Sequence, residues 1–143
     1  MKDLKLKRET ILDRIGVIEN SLRKLEDLKS LPLNKFLDGE NFAISEHYLR
    51  YALEATFDIC AHVLSRIPGA MVDEYKKMAV EMGRQKIVPM DFAEENLYKM
   101  AGYRNRLTHF YFEISPKEMH EIIQNKLGDF RALLKYFKKL IEK

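Results

Sequence analysis

The four prolines constrain the fold of this chain more than any other feature of the sequence. Pro32, Pro68, Pro89 and Pro116 divide the chain into five segments. Each proline stands where a helix should begin or end, because proline lacks a backbone donor and clashes with the preceding helical turn. No segment shows the alternation of apolar and polar residues that is typical of a strand. The sequence therefore predicts an all-α fold, an antiparallel bundle of about five helices.

The spacing of the apolar residues indicates where these helices lie. The first segment carries a stripe at alternating four- and three-residue steps, formed by Ile11, Ile15, Ile18, Leu22 and Leu25. The second, over about 42–67, is apolar nearly all round, which predicts a helix in the centre of the bundle or in a subunit interface. Shorter helices are expected over about 71–82 and from about 91 into residues 103–111. The last helix should start with Ser115 as its cap, Glu118 completing a capping box, and run on to about 141.

Composition limits the class of protein. With 143 residues, of which 46% are hydrophobic and 33% charged, residues 1–143 are expected to form one soluble domain. No apolar run approaches the ~20 residues of a membrane span, and no secretory signal follows Met1, so we expect a cytoplasmic protein. The single cysteine, Cys60, indicates a reducing compartment and is expected to be a buried small hydrophobe. A Gly-rich phosphate loop and a Cys/His pairing at zinc spacing are both absent from the sequence, so no cofactor and no metal are predicted.

A polar seam runs along the second predicted helix, with one charged or titratable residue every four positions: Arg50, Glu54, Asp58 and His62. One interpretation is an intrahelical ion-pair ladder, worth a few tenths of a kcal/mol, about 0.2–0.5, per pair. The other is a seam that lines a polar cleft, in which Glu54 and Asp58 orient a cation or an imidazole from another helix. The two interpretations are compatible. His47 and His120, near predicted helix starts, are expected to be ordinary surface histidines.

The stretch from Tyr103 to Tyr111 gathers side chains suited to phosphodiester chemistry. Arg104 carries a planar fork of donors that can bind phosphate in a bidentate manner. His109 is the side-chain type that most readily moves a proton at neutral pH. Asn105 can fix an orientation or bind a ribose hydroxyl, and Tyr111 adds a hydroxyl and a stacking surface. An arginine and a histidine without carboxylate metal ligands suit metal-independent cleavage, in which Arg104 stabilises charge on phosphorus.

Helical geometry limits how these side chains can meet. Residues five apart on a straight helix point roughly 140° away from each other. Arg104 and His109 therefore converge only if the helix ends or bends between them, or if two subunits pool their motifs in a two-fold dimer. Gly102, just upstream, is expected to permit a close approach of helices. The alternative is that Arg104 forms a structural salt bridge and His109 simply ends a helix.

With Asn105 following Arg104, and Tyr111 two residues after His109, the string resembles the Arg-x4-His-x-Tyr signature of HEPN domains, in particular the HepT-like toxins. That resemblance implies an all-α homodimer with a composite site in the cleft between subunits. It further implies a metal-independent ribonuclease acting on RNA, neutralised by a cognate MntA-like nucleotidyltransferase that transfers AMP to the motif tyrosine. On this chain, Arg104 and His109 would be catalytic, Asn105 supporting, and Tyr111 the modified residue.

Three functions remain open from the sequence. The first is an endoribonuclease toxin that cleaves RNA by attack of the 2′-hydroxyl. The second is a non-catalytic helical partner, or substrate-binding subunit, of a minimal nucleotidyltransferase, with the motif as its interaction surface. The third is a helical adaptor in which the seam and the motif form structural ion pairs.

Overall fold

The computed structural model describes residues 4–109 and 113–142, and all regular structure within these ranges is helical. The helices are α1 (Arg8–Asp27), α2 (Leu33–Phe36), α3 (Asn41–Leu64), α4 (Tyr75–Arg84), α5 (Met90–Phe92), α6 (Tyr98–Thr108), α7 (Pro116–Asn125) and α8 (Leu127–Ile141). A π-helical turn, Ala93–Leu97, joins α5 to α6 so that the two form one continuous rod. The prediction of an all-α fold is confirmed. Within the described ranges, no helix has the length and apolar character that crossing a membrane requires.

Helix α3 is the centre of the bundle. Helices α1, α4, α6 and α7 all pack against it, and the predicted stripe of α1 is buried along its whole length, no member being more than 4% exposed. This arrangement confirms the central position that the apolar circumference of α3 predicts. Cys60 is completely buried in α3, and this burial raises the pKa of its thiol well above the ordinary value. It packs as the small hydrophobe that the sequence indicates.

Two predicted helix boundaries are wrong. The last segment is two helices, because the chain breaks at Lys126, between α7 and α8. Asn125 and Gly128, both poor helix formers, flank that break. The third helix begins at Tyr75 and not near residue 71, and the apolar side chains of Met71 and Val72 are 43% and 45% exposed ahead of it.

Helix α4 and the α5–α6 rod form an antiparallel hairpin that positions the motif. The two approach each other closely at Gly83, where a Cβ atom would lie 2.7 Å from the Cβ of Ala93 and 2.8 Å from the sulfur of Met90. At Gly102 a Cβ atom would lie 3.7 Å from Cε of Lys76, an ordinary van der Waals contact. Within this chain, Gly83 and not Gly102 permits the close approach of the two helices.

Candidate active site

The motif lies at the C-terminal end of α6. The helix ends at Thr108, and His109 has an extended backbone with φ −118° and ψ 102° while its amide still donates to the carbonyl of Asn105 at 3.1 Å. The helix thus ends between Arg104 and His109, which is one of the conditions under which the two side chains can converge. Phe110 and Tyr111 lie outside the described residues.

Arg104 and His109 line the same open cleft, together with Asn105. The cleft has a volume of about 550 Å³ and lies between the start of α4 and the end of α6. Its lining consists of Asp73, Glu74, Tyr75, Lys76, Gly102, Arg104, Asn105, Arg106 and His109. His109 is exposed at its rim. The fold therefore brings together the cation, the amide and the imidazole that the sequence singles out.

Two contacts from other helices orient the guanidinium of Arg104. Its Nε and Nη2 donate to the two carboxylate oxygens of Glu54 on α3, at 3.2 and 3.4 Å. The ring of Tyr75, at the start of α4, lies against the other side, with its centroid 3.9 Å from Cζ. The side chain of Arg104 is only 19% exposed, and no described residue accepts a hydrogen bond from its Nη1. Glu54 and Tyr75 therefore hold the guanidinium in place at the cleft.

The polar seam of α3 makes its bonds across helices. Arg50 donates to the carbonyl of Leu107, Glu54 holds Arg104, Asp58 accepts from Nε of Arg14 at 2.9 Å, and His62 accepts from the backbone amide of Lys7 at 3.0 Å. Among the described residues, no hydrogen bond or ion pair joins one member of the seam to the next, so the intrahelical ladder is wrong. Glu54 orients a cation from another helix, as the second interpretation proposes. Asp58 does the same for Arg14 on α1, outside the cleft.

Arg106 connects the end of α6 to α7. Its Nη1 and Nη2 donate to the two oxygens of Glu118 at 2.7 and 2.6 Å, and this hydrogen bonding is the main cause that raises the pKa of the guanidinium. Ser115 does cap α7, since its hydroxyl accepts from the amide of Glu118 at 3.1 Å. The capping box itself is wrong, because the Glu118 carboxylate holds Arg106. The sequence by itself does not indicate this role of Arg106.

Tyr75 is the other contact that the sequence does not predict. No local signal marks it, because it lies on a different helix from the motif. The prediction for His120 is also wrong. Its ring is partly buried, contacts the ring of Phe36 at a centroid distance of 5.3 Å, and its Nε2 lies 2.8 Å from the carbonyl of Leu31. His47 is exposed, as expected.

Within residues 4–109 and 113–142, no group of three His, Cys, Asp or Glu side chains is arranged to hold a metal ion.

Fold and site together define a class: an all-α domain with an arginine and a histidine brought into one cleft by the end of a helix. The sequence model of the family described as ribonuclease HepT-like matches residues 18–137. The chain therefore belongs to the ribonuclease HepT-like family, and the predictions of HEPN membership and of a ribonuclease are confirmed. It is 28% identical over 123 residues to the tRNA nuclease HepT of Aphanizomenon flos-aquae (strain 2012/KM1/D3), an alignment that covers 85% of this chain and 81% of the relative.

Solved structures show the same fold over nearly the whole chain. A toxin–antitoxin crystal structure with AMP-PNP superposes with a TM-score of 0.80 at 18% identity, covering 92% of this chain and 98% of the other. The tri-AMPylated HEPN toxin of Shewanella oneidensis, in complex with its MNT antitoxin, gives a TM-score of 0.77 at 20% identity over 97% and 99% of the two chains. At these identities the likeness concerns the fold.

Proposed function

We propose that this protein is the toxin of a toxin–antitoxin pair and acts as a metal-independent endoribonuclease. The observation that carries the proposal is the convergence of Arg104 and His109 on one cleft, with Arg104 oriented by Glu54 and Tyr75. Glu54 accepts from Nε and Nη2 of Arg104, and in this proposal Nη1 donates to the phosphate of RNA. The relative named as a tRNA nuclease makes transfer RNA the first substrate to test.

The chemistry follows from what each group can do. His109 accepts the proton of a ribose 2′-hydroxyl, whose oxygen then forms a bond to the adjacent phosphorus. Arg104 stabilises the negative charge that builds up on the phosphoryl oxygens, and Asn105 supports the orientation of the ribose. The bond from phosphorus to the 5′-oxygen breaks, and that oxygen takes up a proton. The products are a 2′,3′-cyclic phosphate and a free 5′-hydroxyl.

This reaction needs one group to remove a proton and another to supply one. The described part of the cleft contains a single imidazole, that of His109. In a two-fold homodimer, the second copy of the motif would supply the second imidazole and a second guanidinium, so that each site is shared. The proposal therefore includes a dimer whose axis passes close to the end of α6.

Neutralisation is proposed to occur by transfer of AMP to Tyr111 from an MntA-like nucleotidyltransferase antitoxin. Two observations support this part: the tyrosine lies two residues after His109 in the sequence, and the Shewanella oneidensis toxin of the same fold is AMPylated in complex with an MNT antitoxin. The phosphate of AMP would bring negative charge close to Arg104 and compete with the phosphate of RNA. Intact mass after co-expression with such a partner should show AMP adducts that disappear in Tyr111→Phe. An adduct pattern unchanged in that variant would contradict the assignment.

The nuclease is tested by incubating the purified protein with transfer RNA in EDTA. We expect cleavage that survives chelation, leaves 2′,3′-cyclic phosphate ends and is lost in His109→Ala. The matched control is His47→Ala, which removes an exposed histidine of α3 outside the cleft and should cleave like wild type. Cleavage by His109→Ala at the wild-type rate would exclude the proposed mechanism.

The alternative is a non-catalytic partner or substrate-binding subunit of a minimal nucleotidyltransferase. It is favoured by the solved structures, since two proteins with this fold are described in toxin–antitoxin complexes. The same assay separates the two functions. A protein that binds the nucleotidyltransferase and leaves RNA intact, with or without divalent ions, would support the partner and not the nuclease.

A further inference from the structure

Successive turns of α3 contact both functional parts of the motif. Glu54 holds the guanidinium of Arg104. One turn earlier, Nη2 of Arg50 donates to the backbone carbonyl of Leu107 at 2.9 Å. Leu107 is the second-last residue of α6 and precedes His109 by two positions. The polar seam of α3 therefore contacts Arg104 directly through a side chain. It contacts the end of α6, from which His109 follows, through a backbone carbonyl.

The contact made by Arg50 satisfies a backbone group that the helix itself does not. Carbonyls in the last turn of an α-helix lack an intrahelical partner. A cation at that end also interacts favourably with the helix dipole, and a hydrogen bond from an ionised donor is stronger than a neutral one. Arg50 is partly buried, so its bond to Leu107 is shielded from solvent more than a surface contact would be.

The side chain of Arg106 attaches this helix end to Glu118 of α7, whereas the other bonds of its backbone carbonyls are local. The hydroxyl of Thr108 donates to the carbonyl of Asn105 at 2.9 Å, and the amide of His109 donates to the same carbonyl at 3.1 Å. These bonds shape the last turn, but they do not attach it to the rest of the protein. Among the hydrogen bonds of the described residues, the one from Arg50 ties the carbonyls of this turn to another helix.

We propose that Arg50 is a positioning residue for His109, and this inference rests on the proposed nuclease function. Arg50 fixes the end of α6 against α3, and this sets the position at which the extended backbone of His109 begins. Glu54, on the same face of α3, fixes Arg104. Arg50 and Glu54 together act as a frame that keeps the distance between cation and imidazole constant. A misplacement of about 1 Å at a reacting group can reduce a rate by about 100-fold.

The test compares Arg50→Met and Arg50→Lys with wild type by steady-state cleavage of RNA, well below the melting temperature of each variant. Methionine keeps the apolar stem and removes the donor, and we expect kcat to fall by about 10- to 100-fold while KM stays within about 3-fold. Lysine restores a charged donor and should recover most of kcat. The control is Arg23→Met on α1, whose side chain bonds Asn20 on its own helix and should behave like wild type.

Three outcomes overturn the proposal. The first is an unchanged kcat in Arg50→Met. The second is a rise in KM at constant kcat, which would make Arg50 a direct contact to RNA. The third is an equal loss of kcat in the lysine and methionine variants with equal drops in melting temperature, which would make the role a purely structural one.

A measurement without RNA separates this inference from the nuclease itself. Hydrogen exchange of the His109 amide, followed by NMR, reports how often the last turn of α6 opens. We expect faster exchange in Arg50→Met than in wild type or Arg23→Met, whether or not the protein cleaves RNA. Unchanged exchange would refute the positioning role, whereas an inactive wild type with faster exchange in Arg50→Met would refute only the proposed function.

Discussion

The two ends of the hairpin formed by α4 and the α5–α6 rod are held together by different forces. At the turn end the contact is apolar and close: Gly83 faces Ala93, and Ala93 and Leu97 of the π-helical turn are completely buried. At the open end the ring of Tyr75 lies against the guanidinium of Arg104, and a Cβ atom added at Gly102 would still lie 3.7 Å from Cε of Lys76. Between the two helices the turn end is filled, and its outer surface borders a separate cleft of about 1010 Å³, whereas the open end forms the motif cleft of about 550 Å³.

This difference shows how a small bundle can hold a site open. Close packing at the turn end fixes the distance between α4 and the α5–α6 rod, because interiors at crystal-like density do not deform continuously. The open end can then use directional polar bonds to orient side chains without filling the gap between the helices. We infer that the turn end mainly determines stability and the open end mainly determines activity.

The largest expected effect comes from changing the arginine of the open end. Arg104→Lys keeps the charge but replaces the fork that grips phosphate by a single ammonium. We expect kcat/KM for RNA to fall by about 100- to 1,000-fold, as for loss of one transition-state donor. The free energy of unfolding should change by less than about 1 kcal/mol, because the pair with Glu54 is partly solvated. Cleavage rates and urea unfolding measure the two quantities.

Arg106→Lys is the matched variant, two residues away on the same helix. Its bidentate pair with Glu118, at 2.7 and 2.6 Å, is shorter than the pair of Arg104 with Glu54 and connects α6 to α7. We expect a loss of stability of about 1 kcal/mol and a decrease in kcat/KM below about 10-fold. If both variants lose activity equally, Arg106 belongs to the chemistry, and the division of roles between the two arginines is wrong.

The sequence predicts the parts of this comparison that depend on local spacing. Periodicity places the buried stripe of α1 and the central position of α3, because burial of one helix face is repeated every three or four residues. Helical geometry also predicts that Arg104 and His109 can converge if the helix ends between them, and in the structure the helix does end there. The break at Lys126 is missed because two apolar helices joined by one residue keep nearly the same spacing as one.

Contacts between helices are not encoded in such spacing. Arg50, Glu54, Asp58 and His62 have the same four-residue pattern whether they bond to one another or to other helices. Tyr75 is 29 residues from Arg104 in the sequence, and only the docking of α4 on α6 brings its ring to the guanidinium. The glycine that matters for close approach also depends on docking, since Gly83 and Gly102 both lie within helices.

These two glycines give the second test of the comparison. In Gly83→Ala, the added methyl group would overlap the Cβ of Ala93, which cannot move away without shifting the π-helical turn. Overpacking of this kind costs about 1–3 kcal/mol, and we expect a loss of stability in that range with little change in kcat below the melting temperature. Thermal unfolding and cleavage assays measure the two effects.

Gly102→Ala is the control at the open end. The added methyl group meets only the flexible end of Lys76 at 3.7 Å, and alanine is favoured over glycine in a helix by about 1 kcal/mol. We expect unchanged or slightly increased stability. If instead Gly102→Ala is the destabilising variant, the closest packing of the hairpin lies at the open end, contrary to the structure.

The smallest expected effect is a dependence of stability on pH that comes from the polar bonds of α3. His62 accepts a hydrogen bond from the amide of Lys7, ahead of α1, and this bond requires a neutral ring nitrogen. Burial, followed by the charges of Arg66 and Lys7, lowers the pKa of His62 below its ordinary value of 6.5. The folded protein therefore binds this proton more weakly than the unfolded chain does. The contribution of His62 to stability is complete above the unfolded pKa and is lost as the pH falls below it toward the folded pKa.

His62→Gln tests that contribution, because glutamine can still accept a hydrogen bond but does not titrate. Between about pH 7 and pH 5, we expect the free energy of unfolding of wild type to decrease relative to that of the variant. The expected decrease is only about 0.2–0.5 kcal/mol, because solvent screens a partly exposed group. Urea unfolding at several pH values measures the difference. Parallel curves for the two proteins would show that the bond to Lys7 adds nothing to stability. Apolar packing and the bond between Arg14 and Asp58 would then join α1 to α3.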